Sequence, residues 1–138
     1  MKRYFNNSNL LPATNIVLIC ILLACMCYTD YVGKIFIGLC ILAQCICLYG
    51  IYHNNETLMG SSHIMFAVAI IIGTFLMRKI INYILIVLLV FVIWTRYVRG
   101  SCMYDDYTTK YMDTIPLNNN SIDIFFVAAL LVNIYYVI

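Results

Sequence analysis

The amino-acid sequence predicts an all-α polytopic integral membrane protein, a single membrane domain of helical hairpins that form a bundle of four to five transmembrane helices. Apolar residues make up 64% of the 138 residues, whereas a soluble globular protein has about 45–50%. Charged residues make up 10%, against about 25% in soluble proteins. The apolar residues are also grouped into runs close to the roughly 20 helical residues that cross a bilayer core.

Five segments have the length and composition of membrane spans. We expect them at about 12–28, 33–52, 62–77, 80–97 and 121–138, with an extramembrane loop at 99–120. Pro12 suits a first helical turn, because the N–H group that proline lacks would have no partner there. Ser62 is the expected N-cap of the third span, because its hydroxyl can accept from a free backbone N–H.

Two adjacent cations decide whether the third and fourth segments form one helix or two. A continuous helix would place Arg78 and Lys79 near the bilayer centre, at about 2.5–3.5 kcal/mol each. A helical hairpin that turns at these residues avoids this cost, since both long side chains then reach the headgroups. The turn contains no Gly or Pro, so a helix kinked at Gly73 and lying partly in the interface remains an alternative. The sequence therefore leaves four or five spans open.

Basic residues at the ends of the spans favour a cytoplasmic N-terminus. With five spans, the N-terminal side holds Lys2, Arg3, Arg96, Arg99 and Lys110, and the other side holds Lys34, Arg78 and Lys79. Aromatic residues, which are enriched at membrane interfaces, fall at the expected span ends: Tyr28, Tyr31, Tyr49, Tyr52, Trp94, Tyr97, Tyr135 and Tyr136.

Matching stripes of mostly small side chains run along the first two spans. They are Cys20, Ala24 and Cys27, and Cys40, Gln44 and Cys47. Residues at i, i+4 and i+7 share one helix face, so both stripes predict close helix packing. Cys25 and Cys27 point about 200° apart in a helix and cannot chelate one ion. Packing is therefore favoured over acylation of a boundary cysteine, and over metal or redox chemistry.

Few polar side chains lie within the spans. Gln44 is the most polar, and we expect it to form a hydrogen bond between helices worth about 0.6–2 kcal/mol. Ala69 and Gly73 form a small-xxx-small pair that predicts the packing face of the third span. The other polar residues are dispersed along the chain: Asn15, Thr74, Asn82 and Asn133. An ion path would need such groups to converge, so their dispersal argues against one.

Catalytic, metal and cofactor sites are not predicted. His53 and His63 have no second ligand at metal-binding spacing. The net charge of +2 is too scattered for nucleic-acid binding, which needs a basic face. Paired reactive side chains are also missing, so we predict that the protein is not an enzyme.

The loop at 99–120 is the expected partner-binding element. Its interface-type side chains alternate with carboxylates: Tyr104, Asp105, Asp106, Tyr107, Tyr111, Met112 and Asp113. Aromatic residues and methionine are enriched in protein interfaces. The alternative is a solvated linker, but a plain linker rarely carries three tyrosines.

Residues 63–102 contain a loose motif: His63 opens one span, Trp94 followed by Gly100-Ser101-Cys102 closes the next, and Asp105-Asp106 follows the cysteine. This stretch resembles short multi-span membrane proteins of nucleocytoplasmic large DNA viruses. In that family a His opens one span, a Trp followed by a Gly-x-Cys element closes the next, and an acidic continuation, which Asp105-Asp106 approximates, usually comes after the cysteine. The Asn-, Ile- and Tyr-rich composition is also similar to proteins of AT-rich viral genomes. The resemblance implies a virion or infected-cell membrane component beneath an icosahedral capsid.

The expected function is structural. A virion-membrane or host-derived endomembrane protein would hold other membrane or capsid proteins, or further copies of itself, through the loop and lateral helix contacts. A small ion channel is the first alternative and would require polar residues aligned on one face of several helices. A membrane-embedded thiol enzyme is the second and could use only Cys102 with Asp105 and Asp106.

Overall fold

The computed structural model describes residues 10–100 and 119–138, and 91% of these residues are helical, with no β-strand among them. They form five α-helices: α1 (Leu10–Cys25), α2 (Tyr31–Tyr52), α3 (Glu56–Phe75), α4 (Lys79–Arg99) and α5 (Asn119–Val137). A 3-10 turn, Met26–Tyr28, extends α1. The all-α bundle predicted from the sequence is therefore confirmed.

Side-chain caps fix the starts of α2 and α3. The Asp30 carboxylate accepts from the backbone N–H of Gly33 at 3.0 Å. Gly33 has no Cβ, and one would collide with the Thr29 side chain. The Asn55 side chain accepts from the N–H of Leu58 at 3.2 Å. The expectation that Ser62 caps the third span is wrong, because α3 begins at Glu56 and Ser62 is buried within it.

The third and fourth segments are two helices joined by a tight turn. Leu76 ends α3, Met77 takes the left-handed conformation with φ 51°, and Arg78 is extended before α4 begins at Lys79. This conformation costs about 1–2 kcal/mol for a residue with a Cβ. The turn therefore needs neither Gly nor Pro, and the alternative of one helix kinked at Gly73 is excluded.

Short turns make neighbouring helices antiparallel and give the bundle two distinct ends. An ion pair of 3.0 Å between Arg78 and Asp30 joins the α1–α2 turn to the α3–α4 turn, and we call this the hairpin end. The α2–α3 turn and the ion pair between Arg96 and Asp123, which joins the end of α4 to the start of α5, lie at the opposite end. We call that the loop end.

The packing contacts are most extensive between α2 and α3 and between α4 and α5. A buried cluster then joins the third, fourth and fifth helices, and it consists of Ile70, Ile81, Leu85, Leu89, Val92, Phe126 and Ala129. Large apolar side chains also cover the outside of the bundle, as expected where lipid rather than water surrounds the helices.

Four of the described helical segments are long and apolar enough to cross a membrane, and a fifth, Ser121–Val137, is shorter. Exposed tyrosines mark both ends of α2, Tyr31 and Tyr52. A rise of 1.5 Å per residue separates them by about 31 Å, close to the roughly 30 Å of a hydrocarbon core. These features indicate a multi-pass integral membrane protein whose outer surface contacts lipid.

Candidate functional site

The loop end carries an ion pair with a nearly buried arginine. Arg96 Nε donates to Asp123 Oδ1 at 2.6 Å. The Arg96 side chain is 9% exposed and that of Asp123 is 56% exposed. The guanidinium carbon also lies 5.9 Å from the centre of the Phe126 ring. A buried charge without a partner is strongly destabilising, and here the carboxylate and the aromatic face provide its partners.

This ion pair joins the two helices that flank the segment 101–118. Helix α4 ends at Arg99, where Gly100 takes the left-handed conformation with φ 72° and its N–H donates to the Arg96 carbonyl at 2.7 Å. Helix α5 begins at Asn119, so the last residue of α4 and the first residue of α5 both lie at the loop end. The predicted partner-binding residues all lie outside the described residues: Tyr104, Asp105, Asp106, Tyr107, Tyr111, Met112 and Asp113.

A cavity of about 40 Å³ lies beside Arg96 and touches all five helices. Its polar lining residues are Thr14, Asn15, Gln44, His63, Thr95 and Arg96. A water molecule needs roughly 10–15 Å³ of such space. This space, which we call the polar cavity after those residues, is therefore large enough for a few water molecules, although most of its lining surface is apolar.

Gln44 has unused hydrogen-bonding capacity in the polar cavity. It is 4% exposed, and its amide forms no hydrogen bond with another described residue, so the hydrogen bond between helices expected from the sequence is not found there. Gln44 also lines a second, apolar cavity of about 40 Å³, and Leu18, Phe66 and Leu88 line both. A polar molecule could bind on one side of this amide, and apolar side chains surround the other.

The other polar residues of the spans also face the interior. Asn15 Nδ2 donates to the Leu11 carbonyl at 2.9 Å and contacts Cys47 Sγ at 3.5 Å, which links α1 to α2. Asn133 Nδ2 donates to Thr74 Oγ1 at 2.8 Å and links α5 to α3. The structure therefore brings Thr74 and Asn133 together, while Asn15 lies apart from them beside the polar cavity.

Asn82 is the least satisfied of the buried polar residues. It is 0% exposed, and neither amide atom has a hydrogen-bond partner among the described residues. Asn133 Oδ1 is also unpaired there. Both side chains therefore reduce the stability of the interior at the hairpin end, since an unpaired buried polar group costs about 1–3 kcal/mol.

The predicted packing stripes differ in where they lie. On α2, Gln44 and Cys47 are buried and Cys40 is half-buried. The stripe of α1 does not face them, because its three residues are exposed on the bundle surface: Cys20, Ala24 and Cys27. Contact of that surface with another chain stays a prediction.

The packing pair on α3 lies inside the bundle. Ala69 lines the apolar cavity, and Gly73 is buried. A Cβ on Gly73 would lie 2.9 Å from both Leu85 Cδ1 and Phe36 Cζ. The absence of a side chain at Gly73 therefore allows α2 and α4 to approach this part of α3 closely.

The interior position of Arg96 was not predicted from the sequence, where this residue counted as an interfacial charge. Leu85, Leu89, Val92 and Arg96 lie at i, i+4, i+7 and i+11, and the first three are buried. This periodicity places the arginine on the buried face of α4. The interior position of Arg96 could have been predicted only after the buried face of α4 had been identified.

Histidines and cysteines form no metal site within the described ranges, where no group of three His, Cys, Asp or Glu side chains lies together. The His53 ring contacts Tyr49 at 4.2 Å between centroids, and His63 lines the polar cavity. None of the six described cysteines forms a disulfide with another described residue. Comparison of the chain with protein-family models, curated proteins and solved structures finds no match.

Proposed function

We propose that the protein is a non-enzymatic structural or assembly membrane protein that holds partner proteins at the loop end. The observation that carries this proposal is the ion pair between Arg96 and Asp123, at 2.6 Å. It joins the two helices that flank the segment 101–118. The exposed small side chains of α1 offer a second, lateral contact surface, for another membrane protein or a second copy of the chain.

The resemblance of residues 63–102 to membrane proteins of large DNA viruses supports a more specific role. The protein would be a component of a virion inner membrane or a host-derived endomembrane, and its partners would be membrane or capsid proteins. Tyr104, Tyr107 and Tyr111 would supply contact area at small entropic cost. Asp105, Asp106 and Asp113 would pair with a basic partner surface.

Replacement of the three loop tyrosines tests the proposal. A Tyr104→Ser, Tyr107→Ser, Tyr111→Ser variant should lose the proteins that co-purify in mild detergent. Membrane insertion should stay unchanged, because it depends on the apolar spans. Retention of every partner by this variant would show that the segment is only a linker.

The matched control replaces three exposed tyrosines at the opposite end of the bundle. Tyr28, Tyr31 and Tyr135 are 77%, 77% and 79% exposed, and their replacement by serine removes the same number of rings. This control should keep the partners. If it loses them as well, the loss reflects the number of tyrosines rather than the position of the segment.

The polar cavity supports a small ion channel as the second candidate function. Its water-sized space and the unpaired amide of Gln44 would form the part of a pathway that opens towards the loop end. Ion flux through liposomes containing the purified chain tests this function, and a Gln44→Leu variant should reduce the flux. Cys45→Leu, one residue further along α2 and exposed, is the matched control. No flux from the unmodified chain would contradict this candidate.

A further inference from the structure

Three basic residues lie at the hairpin end, and one of them, Arg78, pairs with a carboxylate. The Asp30 carboxylate pairs with Arg78 at 3.0 Å, and its backbone carbonyl accepts from the N–H of Lys34 at 2.9 Å. Lys34 therefore lies one helical turn beyond the ion pair, and Lys79 directly follows Arg78. All three basic side chains are exposed. Three positive charges against one negative charge leave this cluster with a local charge of +2.

The backbone at the same place also favours an anion. Arg78 is the N-cap of α4 and provides no side-chain cap, so the first N–H groups of this helix have no intrahelical partner. The hydrogen-bonded part of α4 begins at Asn82, whose N–H donates to the Arg78 carbonyl at 2.8 Å. Helix N-termini carry partial positive charge, which adds to that of Lys34 and Lys79.

The surroundings of the cluster match a membrane interface rather than open water. Tyr28 and Tyr31 are both 77% exposed and lie on either side of the α1–α2 turn at this end of the bundle. Aromatic residues of this kind lie at the level of lipid headgroups. Anionic lipids attract basic residues close to the membrane surface. Because the basic residues at the span ends favour a cytoplasmic N-terminus, this site requires anionic lipid in the opposite leaflet.

We propose that Lys34, Arg78 and Lys79 form a binding site for the phosphate of an anionic phospholipid headgroup. Arg78 stays paired with Asp30 and positions the two hairpin turns. Lys34 and Lys79 supply the charges that the phosphate neutralises. The acyl chains of the bound lipid would lie along the apolar outer surface of the bundle.

The test measures lipids retained by the full chain in non-ionic detergent. Native mass spectrometry after incubation with an equimolar mixture of phosphatidylglycerol and phosphatidylcholine, with identical acyl chains, gives the ratio of the two bound lipids. The unmodified chain should retain more phosphatidylglycerol. A Lys34→Gln, Lys79→Gln variant keeps the Asp30–Arg78 ion pair, and it should lower this preference about 25-fold, since each basic residue near an anionic surface contributes about fivefold.

A Lys2→Gln, Arg3→Gln variant is the matched control, because it removes two positive charges elsewhere in the chain. Its lipid preference should equal that of the unmodified chain. The proposal would be overturned if the Lys34 and Lys79 variant had the same lipid preference as the unmodified chain. It would also be overturned if the control lost as much preference as that variant, because the loss would then reflect net charge. Inorganic phosphate should displace the lipid no better than chloride at the same ionic strength. Stronger displacement would assign the site to free phosphate instead.

Discussion

The two Arg–Asp ion pairs of the bundle differ in the burial of the arginine, and this difference predicts unequal costs when each carboxylate is neutralised. The Arg96 side chain is 9% exposed, whereas that of Arg78 is 48% exposed. Asp123→Asn removes the charge that balances a nearly buried guanidinium but keeps an acceptor oxygen. Asp30→Asn makes the same change at the exposed pair and preserves the N-cap of α2, since Asn caps helices about as well as Asp.

The exposure of each pair sets the expected magnitudes. An exposed ion pair contributes about 0.2–1 kcal/mol, and loss of one partner from a fully buried pair costs about 3–5 kcal/mol. Asp123 is itself 56% exposed, so solvent screens part of its interaction with Arg96. We therefore expect Asp123→Asn to lower the free energy of unfolding by about 2 kcal/mol, and Asp30→Asn by less than about 1 kcal/mol.

Unfolding of the full chain in mixed micelles, by titration with a denaturing detergent and detection by circular dichroism, measures both losses. High salt should reduce the loss caused by Asp30→Asn more than the loss caused by Asp123→Asn, because salt screens buried ion pairs less than exposed ones. A double variant, Arg96→Met with Asp123→Asn, should be more stable than the sum of the two single losses implies, because no unpaired charge then remains. Equal losses for the two Asp variants, or additive losses in the double variant, would refute the reasoning.

Three further predictions concern other parts of the fold. Gly73→Ala should lower the free energy of unfolding by about 1–2 kcal/mol, because its new Cβ meets Leu85. Gly38→Ala is the control: its new Cβ meets nothing within 4 Å, so this substitution should raise the free energy of unfolding by up to about 1 kcal/mol. Asn82→Leu should raise it by about 1–3 kcal/mol through removal of unpaired buried amide atoms, and a decrease in the same titration would reveal a partner for the amide. Cysteines placed at Arg78 and Lys79 should react with a membrane-impermeant maleimide in intact vesicles; protection of both would contradict the hairpin at the interface.

The helices could be predicted from the sequence because their formation depends on apolar runs and on the cost of burying charge, both of which can be read along the chain. The positions of Arg78 and Lys79 decide the third turn through the cost of burying charge, and α4 begins at Lys79, one residue before the predicted start. The start of α3 could not be decided in this way. Asn55 and Ser62 are both good N-cap residues, and the cap forms at Asn55, seven residues before Ser62.

The polar cavity could not be predicted, because the sequence does not indicate which face of each helix points inward. In a soluble protein, the inward face of a surface helix is apolar and the outward face is polar. In a membrane, lipid is as apolar as the core, so this contrast disappears. Asn15 and Gln44 lie on different helices and line one cavity only because of the rotation of each helix in the bundle. The same ambiguity explains why the stripes of α1 and α2, alike in sequence, lie on the surface and in the interior respectively.

The residues proposed to bind lipid and the segment proposed to bind protein carry opposite net charges, and this difference separates the roles of the two ends of the bundle. The cluster of Asp30, Lys34, Arg78 and Lys79 has a local charge of +2, whereas the segment 101–118 contains three aspartates and one lysine and has a net charge of −2. An anionic membrane surface attracts the first and repels the second. If the hairpin end binds anionic headgroups, the segment gains nothing from lipid and remains available to a basic protein surface. The ion pair between Arg96 and Asp123 joins the helices that flank that segment at the opposite end of the bundle from the lipid site.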